Sequence, residues 1–220
     1  CMMQDYPKRL GPEARVGFTL YPADFGYFPC KNDIGTAARL SAAGLPPHGA
    51  ASAEAAVYRA HCRALELLGA HIGASREHAW RGGLQAMTPA VVLWPSFAPC
   101  FIELRRKLRR PASIRVATGS SLEISGEGVC IDELDLDGAL SIRAAPGVLL
   151  HVVRLVVRNR GYEFVALSEE QADDAPEELQ MRGYRIVRHE TETVDVREPG
   201  SYTLTDGALV RSEAALAAVP

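Results

Sequence analysis

Residues 121–142 read SLEISGEGVCIDELDLDGALSI, a series of short segments in which apolar and polar residues alternate between glycine-containing turns. Alternation at every second position is typical of a β-strand with one buried face. The same pattern extends over residues 113–157, where its apolar pairs are Leu122/Ile124, Val129/Ile131, Leu134/Leu136, Leu140/Ile142 and Val148/Leu150. Glycine-containing turns separate several of these pairs, at 126–128, 137–138 and 146–147. The sequence therefore predicts a region built from short, closely spaced strands.

These strands also repeat along the chain. A shift of 18 residues superposes four apolar positions on four others: Leu122 on Leu140, Ile124 on Ile142, Ile131 on Leu149 and Leu134 on Val152. A coil of three short strands buries its inward side chains only when the next coil stacks on it. The repeat favours a short parallel β-helix, and a plain antiparallel sandwich remains the alternative.

The chain before this region has a mixed pattern. Residues 1–6 and 14–21 read as strands, the second because Val16, Phe18 and Leu20 alternate before a proline. Residues 31–51 are rich in alanine, glycine and proline and are interpreted as a loop with a short helical turn at 36–44.

A longer helix is predicted over residues 53–68. Ser52 is a good N-cap, Glu54 lies in the first turn where the helix dipole favours an acid, and Gly69 is a natural stop. The apolar residues recur at steps of three and four and predict one buried face, made of Ala53, Val57, Ala60, Ala64 and Leu67/Leu68.

These patterns predict two units. Residues 1–88 are mixed α/β and resemble the edge of something larger, and residues 89–220 form a β-rich domain that opens with a helix. That helix, residues 101–110, is strongly basic. We interpret it as a solvated face with Ile102, Leu104 and Leu108 turned partly inward, because no other basic or aromatic motif for nucleic acid accompanies it.

The bulk composition excludes several classes of function. The formal net charge of −3 gives no reason to expect nucleic acid or an anionic membrane as partner. No apolar run reaches the roughly 20 residues needed to cross a bilayer. Five scattered cysteines without a CxxC pair predict reduced thiols in a reducing compartment such as the cytoplasm, and not disulfides or structural zinc.

Common catalytic motifs are missing from the chain, and one lysine remains as a candidate. There is no GxGxxG, no GxxxxGK[ST] and no GxSxG, and the histidines show no zinc spacing, so no metal ligand is predicted. Lys31 lies in YFPCKND, residues 27–33, after a predicted strand and a proline and before the predicted helical turn. A lysine there can reach a phosphate as a mobile positive charge. The alternative is an ordinary solvated lysine.

Several segments, taken in order, resemble one family. They are CMMQDYPK (1–8), ARVGFTL (14–20), FPCKND (28–33), HGAASAEAAVYRAH (48–61), ELDLDGAL (133–140), PEELQMRGYRIVRHE (176–190) and EPGSYTL (198–204). As an ordered set they look like UDP-sugar pyrophosphorylase, the UTP–monosaccharide-1-phosphate uridylyltransferases. The resemblance runs across nearly the whole chain and corresponds to the C-terminal third of such an enzyme.

The resemblance implies a fold and a reaction. Residues 1–88 would be the edge of the Rossmann-like nucleotidyltransferase domain, and residues 89–220 its β-helical C-terminal domain. The family transfers a uridylyl group from UTP to a sugar 1-phosphate, releases pyrophosphate and uses Mg²⁺. In related enzymes a Phe-x-Pro-x-Lys segment brings a lysine onto the phosphates. Here Tyr27-x-Pro29-x-Lys31 matches that spacing, with tyrosine in place of phenylalanine, so Lys31 is the expected phosphate contact and Asn32 the neighbouring substrate-binding residue.

The resemblance also implies what this chain lacks. The glycine-rich nucleotide loop, the uridine-binding residues and the Mg²⁺-binding aspartate of the family belong to its N-terminal portion. The 220 residues alone are therefore expected to be inactive. A monomer is also expected. A non-catalytic β-helical interaction module is the second hypothesis. A hexapeptide-repeat acyltransferase is the third, and it lacks enough small apolar residues at six-residue spacing.

Overall fold

The computed structural model describes residues 5–21, 26–80 and 83–212, which form helices and short strands in a mixed α/β arrangement. The α-helices are α1 (Ile34–Ala42), α2 (Ala50–Leu68), α3 (Phe101–Lys107), α4 (Glu169–Asp174) and α5 (Glu177–Arg182), with 3₁₀ turns at Tyr6–Arg9 and Pro111–Ser113. No helix in these ranges is long and apolar enough to cross a membrane.

Fifteen strands lie in the described part of the chain, and most come from its C-terminal two thirds. They are β1 (His71–Ile72), β2 (Arg76–Trp80), β3 (Gly83–Met87), β4 (Ala90–Leu93), β5 (Ile114–Val116), β6 (Ser121–Ser125), β7 (Val129–Ile131), β8 (Leu134–Asp137), β9 (Ala139–Ala144), β10 (Val148–Arg158), β11 (Tyr162–Ala166), β12 (Tyr184–Arg188), β13 (Glu192–Val196), β14 (Gly200–Thr205) and β15 (Ala208–Ser212).

Two extended sheets carry most of these strands, and both are largely parallel. One has the order β4-β6-β9-β13 with every pair parallel. The other runs β1-β5-β8-β10-β14 in parallel and ends with the antiparallel strand β15, while β7 also pairs with β10. As the chain advances from β6 to β10, β6 and β9 join the first sheet, and β7, β8 and β10 join the second. The prediction of a β-rich region after residue 88 is confirmed.

The core lies between these sheets. All ten residues of the predicted apolar pairs between Leu122 and Leu150 are at most 3% exposed, and Leu136 and Ile142 are fully enclosed. Burying a leucine or isoleucine side chain stabilises the fold by about 1.5–3 kcal/mol. The alternation of apolar and polar residues therefore identified the buried face of each strand correctly.

The predicted 18-residue register holds for one sheet and is wrong for the other. Leu122 pairs with Leu140 and Ile124 with Ile142, as predicted. Ile131 instead pairs with Val152, and Leu134 with Leu155, which is an offset of 21 residues. Seven positions separate Arg143 from Leu150, whereas four separate their partners Ser125 and Val129, and the longer stretch contains the turn at Pro146 and Gly147. A repeat with a constant period does not reveal such a change in spacing.

Helix α2 packs on the sheets through a face that overlaps the predicted one only at Ala64 and Leu68, which are partly buried against the core. Its buried residues are Ala51, Ala55, Ala56, Tyr58, Cys62 and Leu65. Cys62 and Leu65 join the same hydrophobic cluster as the sheets, whereas Val57 and Leu67 of the predicted face are 48% and 54% exposed. Apolar residues occur around most of this alanine-rich helix, so periodicity alone did not select the buried side.

The ends of α2 show one correct and one wrong prediction. Gly69 ends the helix with a left-handed φ of 105°, as expected of a C-terminal glycine. The helix begins earlier than predicted, because Gly49 is the N-cap and not Ser52. Ser52 lies one turn inside the helix, where its Oγ accepts a hydrogen bond from the Gly49 N–H.

The predicted strand at 14–21 is not formed. These residues have no regular secondary structure, and Phe18 and Leu20 are 93% and 84% exposed. A strand needs a neighbouring backbone for its N–H and C=O groups. No other segment of the described ranges pairs with this one, so the alternating pattern is left without a partner. The other predicted strand, 1–6, lies mostly outside the described residues, and Tyr6 begins a 3₁₀ turn.

An insertion separates β10 from β13. It contains the antiparallel pair β11 and β12, with the short helices α4 and α5 between them. Asn159 anchors its start, since the side-chain amide donates to the Ala139 carbonyl and its oxygen accepts from the Ala139 and Gly161 N–H groups. The acidic stretch between β11 and β12 is helical in the structure.

Four cysteines fall within the described residues and all are free thiols: Cys30, Cys62, Cys100 and Cys130. Burial raises the pKa of Cys62 to about 11 and also raises that of Cys130. Both buried thiols are therefore protonated near neutral pH, and they act as small apolar side chains.

Candidate functional site: the Lys31 loop

The loop that carries Lys31, residues 27–33, is called the Lys31 loop, and it is fixed through its backbone. The N–H groups of Lys31 and Asn32 both donate to the carbonyl of His48, at 2.9 and 3.1 Å. His48 has a left-handed φ of 48° and stands directly before Gly49, the first residue of the α2 cap. The position of the loop is therefore tied to the N-terminal end of α2.

Asn32 strengthens this attachment. Its Nδ2 donates to the Pro47 carbonyl at 2.8 Å, and the side chain is partly buried. The amide is therefore engaged in holding the loop. Its role in substrate binding stays a prediction.

The side chain of Lys31 is exposed, unlike its backbone. Among the described residues no carboxylate lies within ion-pair distance of it and no acceptor binds its ammonium. The other two lysines are engaged: Lys8 pairs with Asp5, and Lys107 donates to the Glu127 carbonyl. A fixed backbone with an uncommitted ammonium suits the capture of an anion.

Aromatic residues pack the loop against α2. The guanidinium of Arg59, on α2, lies 4.6 Å from the centre of the Phe28 ring. The Tyr27 and His48 rings meet edge to face with 6.4 Å between their centres. Cation–π contacts such as that of Arg59 contribute about 0.5–1 kcal/mol at exposed positions. Both contacts connect the residues before Lys31 to α2 or to the turn that precedes it.

Helix α1 follows the loop directly and is capped by Asp33. The Asp33 carboxylate accepts from the Thr36 N–H and the Thr36 hydroxyl, at 2.9 and 2.8 Å. These hydrogen bonds lower the pKa of Asp33. Ala37 of α1 packs so closely on the α2 cap that a Cβ at Gly49 would lie 2.9 Å from the Ala37 methyl group. The two helices and the loop therefore form one packed unit.

Helix α2 is also bridged to the insertion. The Arg182 guanidinium of α5 binds the Glu54 carboxylate at 2.8 Å, and the Tyr58 hydroxyl donates to the same carboxylate at 2.7 Å. Arg182 also lies over the Tyr184 ring, at 5.5 Å. Burial, together with the neighbouring Glu54, raises the pKa values of Tyr58 and Tyr184.

Sequence reasoning missed this bridge, although a signal was present. Glu54 and Tyr58 belong to the segment 48–61, and Arg182 and Tyr184 belong to the segment 176–190. Both segments carry the family resemblance. Two separated segments that keep a family pattern are candidates for a contact, and the structure brings these two together.

Comparisons with known proteins agree on one family. The chain is 31% identical over 206 residues to a UDP-sugar pyrophosphorylase of Arabidopsis thaliana, a match that covers 94% of this chain and 33% of the relative. It is 33% identical over 186 residues to a UDP-sugar pyrophosphorylase of Oryza sativa subsp. indica, covering 84% of this chain and 29% of the relative. The chain is homologous to the UDP-sugar pyrophosphorylases. No family model matches it.

The resemblance predicted from the ordered segments is therefore confirmed. The chain spans about a third of the length of the UDP-sugar pyrophosphorylases that it matches. Residues of those relatives outside the matched third have no counterpart in the structure.

Magnesium is implied by the family resemblance, and the described residues do not fit such a site. In residues 5–21, 26–80 and 83–212 no group of three or more histidines, cysteines, aspartates or glutamates is placed to hold a metal ion.

The basic helix α3 has internal partners. Arg106 binds Glu103 at 2.7 Å, and Lys107 donates to the Glu127 carbonyl and lies 5.4 Å from the centre of the Phe97 ring. Leu104 and Leu108 are 3% exposed, while Ile102 is 63% exposed. The prediction of a solvated basic face with Leu104 and Leu108 turned inward is confirmed, and the prediction that Ile102 also turns inward is wrong.

Proposed function

We propose that this chain is the C-terminal part of a uridylyltransferase that makes UDP-sugars and pyrophosphate from UTP and monosaccharide 1-phosphates. Homology to the UDP-sugar pyrophosphorylases over 84–94% of the chain supports this. The observation that carries the proposal for this chain is the Lys31 loop. Its backbone is bound to His48, which directly precedes the N-cap of α2, and its ammonium has no partner among the residues described.

The chemistry assigned to Lys31 is charge neutralisation. In the proposed reaction an oxygen of the sugar 1-phosphate forms a bond to the α-phosphorus of UTP, and the bond from that phosphorus to the β-phosphate oxygen breaks. The pyrophosphate leaves with the negative charge of that bond. A lysine ammonium held near the phosphates stabilises this charge as it develops, and a fixed backbone reduces the cost of placing it.

The loop attachment suggests how the rest of the chain takes part. Lys31 is tied to α2, α2 packs into the core of the parallel sheets, and Glu54 binds the insertion. We propose that the β-rich region sets the position of Lys31 through α2. In this scheme residues 1–88 are the edge of the nucleotidyltransferase domain and residues 89–220 support it.

We also propose that the β-rich region is a short parallel β-helix. The parallel registers support this, since β6 and β9 pair with an offset of 18 residues, and β7 and β10 with an offset of 21. The strands β13 and β14 continue both sheets after the insertion. For Mg²⁺ the proposal places the ligands outside these 220 residues.

A chimera tests the proposed function. This chain would replace the matching third of the Arabidopsis UDP-sugar pyrophosphorylase, and release of pyrophosphate from UTP and glucose 1-phosphate would be measured. We expect activity from the chimera. We expect none from the 220-residue chain alone, nor from the Arabidopsis enzyme without its matching third. Turnover by the isolated chain would contradict the proposal, as would a folded chimera without activity.

A further inference from the structure

A cavity lies where three separate parts of the chain meet. It has a volume of about 570 Å³, within the range of small-molecule sites. One wall comes from β2 and the end of β3, one from the turn at Gly119, and one from the hairpin β11–β12 with the residues beside it. The cavity involves none of the residues of the Lys31 loop, so a ligand bound here would be independent of the proposed function.

The walls are aromatic on one side. Phe164 and Tyr184 meet at a ring distance of 5.5 Å with an interplanar angle of 60°, and Tyr162 lies on the same strand as Phe164, two residues away. Met87, which is 8% exposed, extends the apolar surface. A wall of this kind accepts the face or edge of a ring-sized ligand.

Two arginines among the lining residues provide positive charge. In the part of the chain that the structure describes, neither Arg76 nor Arg160 has a carboxylate within ion-pair distance of its guanidinium, and Arg160 only approaches His189, at 3.5 Å. The two acids of the cavity are Glu77 and Glu163, and Glu163 is already engaged with His189 at 3.3 Å. An arginine without an acidic partner at the rim of a cavity is suited to a planar oxyanion.

The position of Arg76 is defined by close packing. Its guanidinium lies over the Gly119 turn, so that a Cβ at Gly119 would be 3.0 Å from Cζ. Gly119 has a φ of +80°, a conformation that favours glycine. Beside the hairpin β11–β12, Arg160 is anchored through its backbone N–H, which donates to the Glu190 carboxylate at 2.7 Å. Both arginines therefore belong to formed walls of the cavity.

We propose that this cavity binds a small organic anion, a phosphate or carboxylate carried on a ring-sized body. The oxyanion binds Arg76 and Arg160, and the ring lies against Tyr162 and Phe164. The Glu163–His189 pair closes one edge and offers polar groups to the substituents of the ring.

The proposed binding is tested by titrating the 220-residue protein with phenyl phosphate. The backbone amide signals of Thr88, Gly119 and Phe164 report binding in two-dimensional NMR spectra. Three comparison ligands are titrated in the same way. Inorganic phosphate and phenol each represent one half of phenyl phosphate, and benzoate carries a carboxylate in place of the phosphate. We expect saturable shifts with phenyl phosphate, tighter by about tenfold than with either half. Benzoate that binds as tightly assigns the site to carboxylates, and weaker benzoate assigns it to phosphates.

Substitutions locate the binding. We expect Arg76→Ala and Arg160→Ala each to weaken phenyl phosphate binding by about tenfold. The matched control is Arg185→Ala, which removes an exposed arginine from β12 that does not line the cavity. Thermal unfolding of each variant shows whether the fold is kept. Arg76→Lys keeps the positive charge and removes the bidentate geometry of the guanidinium, so it separates the two contributions. The proposal is overturned if no probe binds at millimolar concentration, or if Arg185→Ala weakens binding as much as the other two.

Discussion

At the scale of single residues, glycines at the corners of the sheets show how little space the fold leaves. Gly138 has a φ of +133°, and a Cβ there would lie 2.6 Å from the Asn159 carbonyl oxygen and would also collide with the Asn159 side chain. That side chain binds both the Ala139 N–H and its carbonyl. A methyl group at this position must therefore displace the residue that anchors the insertion.

Gly138→Ala should lower the free energy of unfolding by about 2–3 kcal/mol, because it adds a steric clash to an unfavourable φ. Gly207→Ala is the matched control, since Gly207 has a φ of +84° and no atom within 4 Å of the position that a Cβ would take. It should cost about 1 kcal/mol from backbone strain alone. Denaturant unfolding measures both, and equal losses would show that the contact with Asn159 is unimportant.

Asp33 gives a prediction about pH. Hydrogen bonds from Thr36 lower its pKa in the folded protein, so the stability it contributes is present above the ordinary value of 3.8. That stability is lost as the pH falls through the lower folded pKa. Amide exchange in the first turn of α1 should therefore accelerate in acid. Asp33→Asn should remove the pH dependence, since an amide keeps a capping oxygen but does not titrate in this range. An unchanged acid dependence in Asp33→Asn would assign the effect to another group.

At the scale of elements, α2 shows which features local patterns predict. The stop at Gly69 was predictable because it depends on one residue and its φ. The buried face was not, because alanines surround the helix and the neighbouring sheet decides which side is covered. The partners of Glu54 and Tyr58 are likewise set by the insertion, more than 100 residues later.

The bridge between Glu54 and Arg182 should be measurable as a coupling. Their side chains are 23% and 34% exposed, so solvent screens part of the interaction. A double-mutant cycle with alanine at both positions should give a coupling of about 1 kcal/mol. The more exposed pair Arg63–Glu66, at 57% and 42%, should give about 0.3 kcal/mol. A coupling at Glu54–Arg182 no larger than this control would contradict a structural role for the bridge.

The strand registers show the limit of a repeat read from sequence. The period of 18 residues was correct between β6 and β9. It was wrong by three residues for β10, because three more residues lie between Arg143 and Leu150 than between their partners Ser125 and Val129. Three extra residues at this point leave the inward side chains unchanged in type, so the hydrophobic pattern does not reveal them.

At the scale of the whole molecule, the predicted division near residue 88 can be tested through the hydrophobic core. Leu65 of α2 and Leu136 of β8 are 2% and 0% exposed and belong to one hydrophobic cluster. Residues assigned to the two predicted units therefore share a core. Separate units would unfold separately, whereas a shared core favours one transition.

Leu65→Ala should lower the stability of the β-rich region as well as that of α2, by about 2–5 kcal/mol. Hydrogen exchange of β6 and β9 amides provides the measurement, with Leu67→Ala as the control, since Leu67 is 54% exposed. If Leu65→Ala changed exchange in α2 alone, the two regions would be energetically independent.

The alternating pattern of segment 14–21 does not determine whether the segment pairs as a strand. Its pattern is that of a strand, yet within the described ranges it is unpaired and its apolar side chains are exposed. The partner of a strand is a tertiary property, and the matched relatives are about three times longer than this chain. The Lys31 loop differs, because its backbone partners at 47–48 lie nearby in sequence and its attachment is complete here.

The most direct test of the central claim is the rate of pyrophosphate release by the chimera with Lys31→Ala. The proposed charge neutralisation predicts a loss of about 10²–10³-fold in kcat. Lys31→Arg should retain part of the rate, and Arg105→Ala, which removes an exposed charge on α3, should leave it unchanged. A chimera in which Lys31→Ala turns over as fast as the parent would contradict the role assigned to Lys31.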